Sequence, residues 1–216
     1  MDFEDITYKL DEPSKKSKKL VILLPGLSGN ALSDERYDSL SHSVIANGFG
    51  FLRFDLWKTV NELEKLSIND IHSFIDKSIE FGRDSGYGEF SFVGKSFGGS
   101  VLLTYGGQIN GRVVLWAPAI CFGDQSNLNE SKSKLLSEFV SLDEIKMNEA
   151  DLRNLVCPVL IVHGTKDPIV SIENSRRISL SRDNISLTEI NGADHSYKDP
   201  EHSRLVIRYT VEFLKG

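Results

Sequence analysis

The pentapeptide Gly94-Lys95-Ser96-Phe97-Gly98 holds a serine with a glycine two residues to either side. That spacing suits a tight strand-to-helix turn that aims the hydroxyl outward. Glycines at those positions let the turn approach neighbouring chain without a Cβ clash. The setting matters more than the pattern, because Gly and Ser are common. Here Phe90-Ser91-Phe92-Val93 reads as a strand before the serine, and Gly98-Gly99-Ser100-Val101-Leu102-Leu103 as the start of a helix after it. A serine hydroxyl is a weak nucleophile, so this chemistry also needs a base and a carboxylate that orients the base.

Five histidines are available. His42 and His72 fall on early helices, His163 ends a strand and reads as a packed residue, and His202 falls inside the final helix. His195 lies in the loop Asn191-Gly192-Ala193-Asp194-His195-Ser196 after the last strand, where an imidazole can reach across the C-terminal edge of a sheet. For the carboxylate, Asp167 stands just past a strand end in His163-Gly164-Thr165-Lys166-Asp167. Asp194 is its rival, although a residue adjacent to His195 usually points away from the ring it would orient. Ser96, Asp167 and His195 also follow the chain order serine, acid, histidine. Acyl transfer further requires donors for a developing oxyanion. The backbone N–H of Phe97 supplies one, and that of Leu27, in Pro25-Gly26-Leu27-Ser28-Gly29, the other. Pro25 has no N–H to give, and the Ser28 hydroxyl can add a donor.

Short apolar runs alternate with longer amphipathic stretches, as in a parallel sheet covered by helices on both faces. Leu20-Val21-Ile22-Leu23-Leu24 is continuously apolar and reads as a strand buried on both sides. Further strands are expected at 49–54, 89–93, 112–116, 159–163 and 184–190, with 5–10 as an edge strand joined to 20–24 by a Lys-rich turn. Helices are expected at 36–46, 69–81, 97–108, 172–180 and 200–214. The total is about seven strands, mostly parallel, in one domain spanning 1–216. The stretch 119–156 breaks the rhythm, turning to Ser, Asn, Asp, Glu and Lys without a strand-type run. It reads as a small lid with short helices near 131–140 and 147–155, because connections this long are often functional.

Composition narrows the partners. The chain has 216 residues and a formal charge of −6, which argues against polyanions such as nucleic acid. The run Lys15-Lys16-Ser17-Lys18-Lys19 reads as a solvated turn. Cys121 and Cys157 fit no zinc, redox or disulfide pattern, so a reduced compartment is expected and no metal. The acidic start lacks an apolar signal segment, and no stretch is apolar for the ~18 residues that span a bilayer. A cytoplasmic protein without membrane attachment is the expectation.

The elbow, the His-Gly-Thr-x-Asp-x-x-Val stretch at 163–170 and the Gly-Ala-Asp-His stretch at 192–195 together resemble the α/β-hydrolase superfamily. The nearest groups are small esterases of the cinnamoyl/feruloyl esterase and serine-aminopeptidase-like kinds. The similarity runs from about Leu20 onward and includes Leu115-Trp116-Ala117-Pro118-Ala119. It implies an α/β-hydrolase fold, a triad of Ser96, Asp167 and His195, an oxyanion hole at Leu27 and Phe97, and no cofactor. The substrate it implies is a small-molecule ester, cleaved through an acyl-enzyme on Ser96. Thioester or amide cleavage would use the same groups, and a non-catalytic binding protein of this fold is the reading from another class. Three departures border the site. Pro25-Gly26 replaces His-Gly, Lys95 replaces a histidine before the serine, and Leu56-Trp57-Lys58-Thr59 replaces a Gly-rich turn. Ser28, Lys95, Trp57 and Phe122 are therefore expected to contact substrate.

Overall fold

The structure, a computed structural model, describes residues 6–29, 31–57, 62, 65–119 and 156–216. Seven strands form a single sheet. They are β1 (Thr7–Asp11), β2 (Lys19–Leu24), β3 (Gly50–Asp55), β4 (Glu89–Lys95), β5 (Val113–Trp116), β6 (Val159–Gly164) and β7 (Ile185–Ile190), in the spatial order β1-β3-β2-β4-β5-β6-β7. All neighbours are parallel except β1, which runs antiparallel to β3 with Thr7 opposite Asp55 and Asp11 opposite Phe51. The edge strand thus pairs not with β2, its sequence neighbour across the Lys-rich turn, but with the strand beyond it.

Period-2 alternation divides the core. From β2, Leu20, Ile22 and Leu24 join Phe54, Phe74, Phe92 and Ile161 on one face. Val21 and Leu23 join Leu40, Val44, Val114 and Trp116 on the other. Both sets are almost fully removed from solvent, which is why the run at 20–24 is apolar at every position rather than at alternate ones.

Among the described residues five helices cover these faces, four of them with a side-chain cap at the start. Helix α1 (Glu35–Ala46) is capped by the Asp34 carboxylate. Helix α2 (Ile68–Asp84) opens on a reciprocal box in which Ser67 and Asp70 exchange side-chain-to-backbone hydrogen bonds. Helix α3 is Phe97–Thr104, α4 is Ile172–Ser181 with Ser171 as its cap, and α5 is Pro200–Lys215 with Asp199 as cap and proline in its first turn. Helices α2, α3 and α4 pack on the Phe92 face, α1 and α5 on the Trp116 face.

Two boundaries differ from expectation in ways that matter for the site. Helix α3 ends at Thr104 rather than at 108, because Tyr105 is extended at φ −72°, ψ 117° and Gly106-Gly107 follow, each disfavouring a helix by about 1 kcal/mol. Strand β4 continues to Lys95, so this residue belongs to the sheet and takes the facing of Val93. The lid expected over 119–156 lies, apart from its two end residues, outside the described residues. Among the described residues no helix is long and apolar enough to cross a membrane.

Candidate active site

Ser96 sits where β4 turns into α3, with φ 50° and ψ −112°. Side chains seldom adopt a positive φ, and such strain persists only where surrounding structure enforces it. Here the Ser96 N–H donates to the Trp116 carbonyl of β5 at 2.9 Å. Its own carbonyl accepts from Gly99, Ser100 and Ala119 at 3.0–3.2 Å. The flanking glycines are required by space. A Cβ on Gly98 would lie 2.3 Å from the Leu24 carbonyl oxygen, and one on Gly94 would lie 2.8 Å from that of Gly98.

The Ser96 hydroxyl meets His195, whose Nε2 lies 3.0 Å from Oγ. On the other side of the ring, Nδ1 lies 2.7 Å from Asp167 Oδ2. A carboxylate only accepts, so the Nδ1 proton stays with His195 and Nε2 presents its lone pair to the serine. The remaining Asp167 oxygen accepts the N–H groups of Ile169 and Val170 at 2.8 and 2.9 Å. Burial alone would push this carboxyl up, but hydrogen bonds from His163 and His195, with the His195 charge and the Val170 N–H, hold it well below the usual carboxylate range. His195 is shifted the other way from a free histidine. Burial lowers its pKa, the Asp167 hydrogen bond partly restores it, and nearby Lys95 depresses it further.

His163 is more than a packed strand end. Its Nε2 lies 3.2 Å from both Asp167 Oδ2 and the Val170 carbonyl oxygen, so that nitrogen carries a proton shared between two acceptors. Its Nδ1 pairs with the Ser175 hydroxyl at 2.7 Å. Asp167 is thereby ringed by donors from two histidines and two backbone amides. Spacing offered a hint, since His163 and Asp167 are four residues apart across a strand end, but only the fold turns the imidazole onto the carboxylate. His163→Leu is expected to lower the unfolding free energy by about 2–3 kcal/mol, the scale of a hydrogen bond to a charged group. Urea denaturation reads this directly; an unchanged midpoint would leave His163 a volume filler.

The loop after β2 lies against the serine, with a Cβ on Gly26 at 3.5 Å from that of Ser96. Gly29 closes a turn onto the Gly26 carbonyl at 2.9 Å. The indole N–H of Trp57 donates to the Leu27 carbonyl at 2.8 Å, and the N–H groups of Ala31 and Leu32 reach Asp55 at 2.8 and 3.1 Å. The end of β3 therefore ties down the loop that carries Leu27, a role of Asp55 and Trp57 that local sequence gave no reason to expect. Among the described residues neither the Leu27 nor the Phe97 N–H has an acceptor.

The other expected contacts divide. Trp57 is 2% exposed and stacks edge-on against Phe97 at 5.7 Å, which makes it a brace behind the loop rather than an open wall. Ser28 is exposed on the loop. Lys95 is buried, on the face away from Trp57 and Phe97, with its ammonium nitrogen 5.7 Å from the centre of the Tyr197 ring. Phe122 lies outside the described residues. Asp194, the rival acid, spends one carboxylate oxygen on the N–H groups of Ser196 and Lys198 at 3.0 and 3.2 Å and stabilises its own turn. No cluster of three metal-ligating side chains occurs among the described residues.

The fold that presents these residues is the α/β-hydrolase fold. The sequence matches no family model and no curated protein, but solved structures match over nearly the whole chain. Est1E from Butyrivibrio proteoclasticus with ferulic acid bound superposes with a TM-score of 0.77 at 19% identity, covering 98% of this chain and 96% of that one. A monoacylglycerol lipase from Paleococcus ferrophilus gives 0.73 at 20% identity, over 97% and 98% of the two chains. A dienelactone hydrolase from Anabaena variabilis gives 0.72 at 17% identity, over 97% and 91%.

Proposed function

We propose that this protein is a serine hydrolase that cleaves small or medium carboxylic esters through an acyl-enzyme on Ser96. The observation that carries the reading is the unbroken hydrogen-bonded chain from Ser96 through His195 to Asp167, anchored on a serine of positive φ. In the first step Ser96 Oγ attacks the ester carbonyl while its proton passes to His195 Nε2. Asp167 steadies the imidazolium through Nδ1–H. The N–H groups of Phe97 and Leu27 receive the oxyanion. The tetrahedral adduct then collapses, the C–O bond breaks, and the leaving alcohol takes the proton from Nε2. Water repeats the sequence on the acyl-enzyme, with His195 again as base, and releases the acid. Support comes also from the similar structures, whose names describe a monoacylglycerol lipase, a dienelactone hydrolase, an esterase domain and a protein with ferulic acid bound.

A fluorophosphonate probe tests this at the atom concerned. Wild type is expected to take one label, mapped to Ser96 by mass spectrometry, and Ser96→Ala none. An unlabelled wild type would overturn the reading and leave a binding protein of this fold. A panel of p-nitrophenyl esters of increasing chain length, with an aryl ester and an aminoacyl amide, then reads substrate preference.

A further inference from the structure

The steps above leave Lys95 without a task, yet it is the residue before the serine and only 5% exposed. Its nitrogen has no hydrogen-bond partner among the described residues. A buried, unpaired ammonium is expensive, whereas an amine is tolerated. What the site offers instead is the face of the Tyr197 ring, a weak partner for a cation. That ring is fixed: Tyr197 is fully buried at φ 50°, and its hydroxyl donates to the Val162 carbonyl at 2.8 Å. It also stands two residues after His195, so one short loop carries both the imidazole and the surface on which the lysine rests.

Resting on the ester-cleaving reading, we propose that Lys95 is a positioning residue for the base: its amine, seated behind the Ser96 elbow against Tyr197, sets by its charge state how readily His195 takes the serine proton. Every element packed there contributes charge. The start of α1 brings Asp34 and Arg36, which pair with each other, and Arg36 also donates to the Ser196 carbonyl. It brings the phenol of Tyr37 as well. The loop after β6 brings Asp167, and the loop after β7 brings Asp194, His195 and the Tyr197 phenol. Burial pulls the lysine down to about 7. Asp167, Asp194 and Asp34 resist that shift, and Arg36 assists it. Protonated, Lys95 sets a positive charge within electrostatic reach of His195 and opposes formation of the imidazolium; deprotonated, it does not. The lysine exchanges its proton with solvent and makes no bond to substrate.

The test is kcat/KM for p-nitrophenyl acetate between pH 5.5 and 9.5 in wild type, K95M and K95R, using the full chain. The wild-type-to-K95M ratio is expected to dip as pH falls through about 7, by less than the roughly tenfold of a one-unit electrostatic effect, because the same charge also keeps His195 deprotonated further into acid. K95R, always charged, should stay below wild type at high pH. A lysine that only fills space would give a flat ratio, and that result overturns the proposal. Because a variant can fail to fold, NMR of the His195 ring in wild type provides a second reading. Its shifts should follow two titration steps, its own and that of Lys95, and a single step overturns the inference. Labelling separates the two levels. Wild type that reacts with a fluorophosphonate at Ser96 but shows a flat ratio retires only the role of Lys95. Failure to label retires the ester-cleaving reading, and the two-step titration still decides whether Lys95 governs His195.

Discussion

Asp167→Asn is expected to lower kcat for ester hydrolysis by about 10⁴-fold while leaving the fold recognisable by circular dichroism. The reason lies in which atoms donate. In wild type one oxygen of Asp167 takes two backbone N–H groups and the other faces His195 Nδ1 and His163 Nε2. An asparagine keeps its oxygen on the backbone amides and turns its NH₂ toward the two imidazoles. His195 must then accept at Nδ1, which moves its proton to Nε2, facing Ser96. A protonated Nε2 cannot take the serine proton. The same amide also confronts the proton shared by His163 with a donor, so some loss of stability should accompany the loss of rate. Steady-state kinetics on active-site-titrated protein decides the matter. A decrease smaller than tenfold would remove Asp167 from the orienting role. The wild-type acid limb should lie below that of a free histidine, since burial lowers the His195 pKa and the base stays deprotonated further into acid.

Lys95→Met should make the protein more stable, and more so at pH 6 than at pH 10. The folded-state pKa is pulled down to about 7, from an unfolded value near 10.5. The unfolded chain therefore binds the proton more tightly than the native one. This costs the fold its full penalty below pH 7, and the penalty fades as pH rises toward 10.5. Its upper bound is about 5 kcal/mol. A methionine of similar length keeps the packing against Tyr197 and removes the charge, so the gain in Tm should be several degrees at pH 6 and shrink toward pH 10. Thermal melts of both proteins across that range would show it. A variant equally destabilised at both ends would mean that the amine contributes a favourable contact instead.

How much of this was legible before folding depends on how far the deciding contact lies along the chain. The run Leu20 to Leu24 announced a doubly covered strand because burial on both faces leaves no polar position. The serine, the aspartate and the histidine stood out because each sits at a strand end with its turn residues beside it. The partner of β1 was not legible, since a strand with three exposed residues followed by two partly buried ones does not say which strand it will join. The early end of α3 followed from Gly106-Gly107, a signal present in the sequence but outweighed by the apolar pattern before it. His163 and Lys95 were hardest to place. The imidazole of one and the amine of the other take their meaning from the loops after β6 and β7, and no local spacing encodes which way a strand-end side chain will face. The segment 120–155 and Phe122 lie outside the described residues, so the wall they were expected to form is a matter for the ester panel.

The contact between Ser96 and His195 joins positions 99 residues apart, and it has a consequence for how the chain acquires competence. The elbow is complete once β2, β4 and β5 associate, whereas the imidazole arrives with the loop beyond β7, the edge strand on the far side of β6. Long-range pairings of this kind close late, because the intervening chain must be ordered first. A partly folded molecule is thus expected to hold a strained serine with no base to activate it. Reactivity would then be conferred by the final act of assembly, which makes turnover a sensitive reporter of whether the last strand has docked.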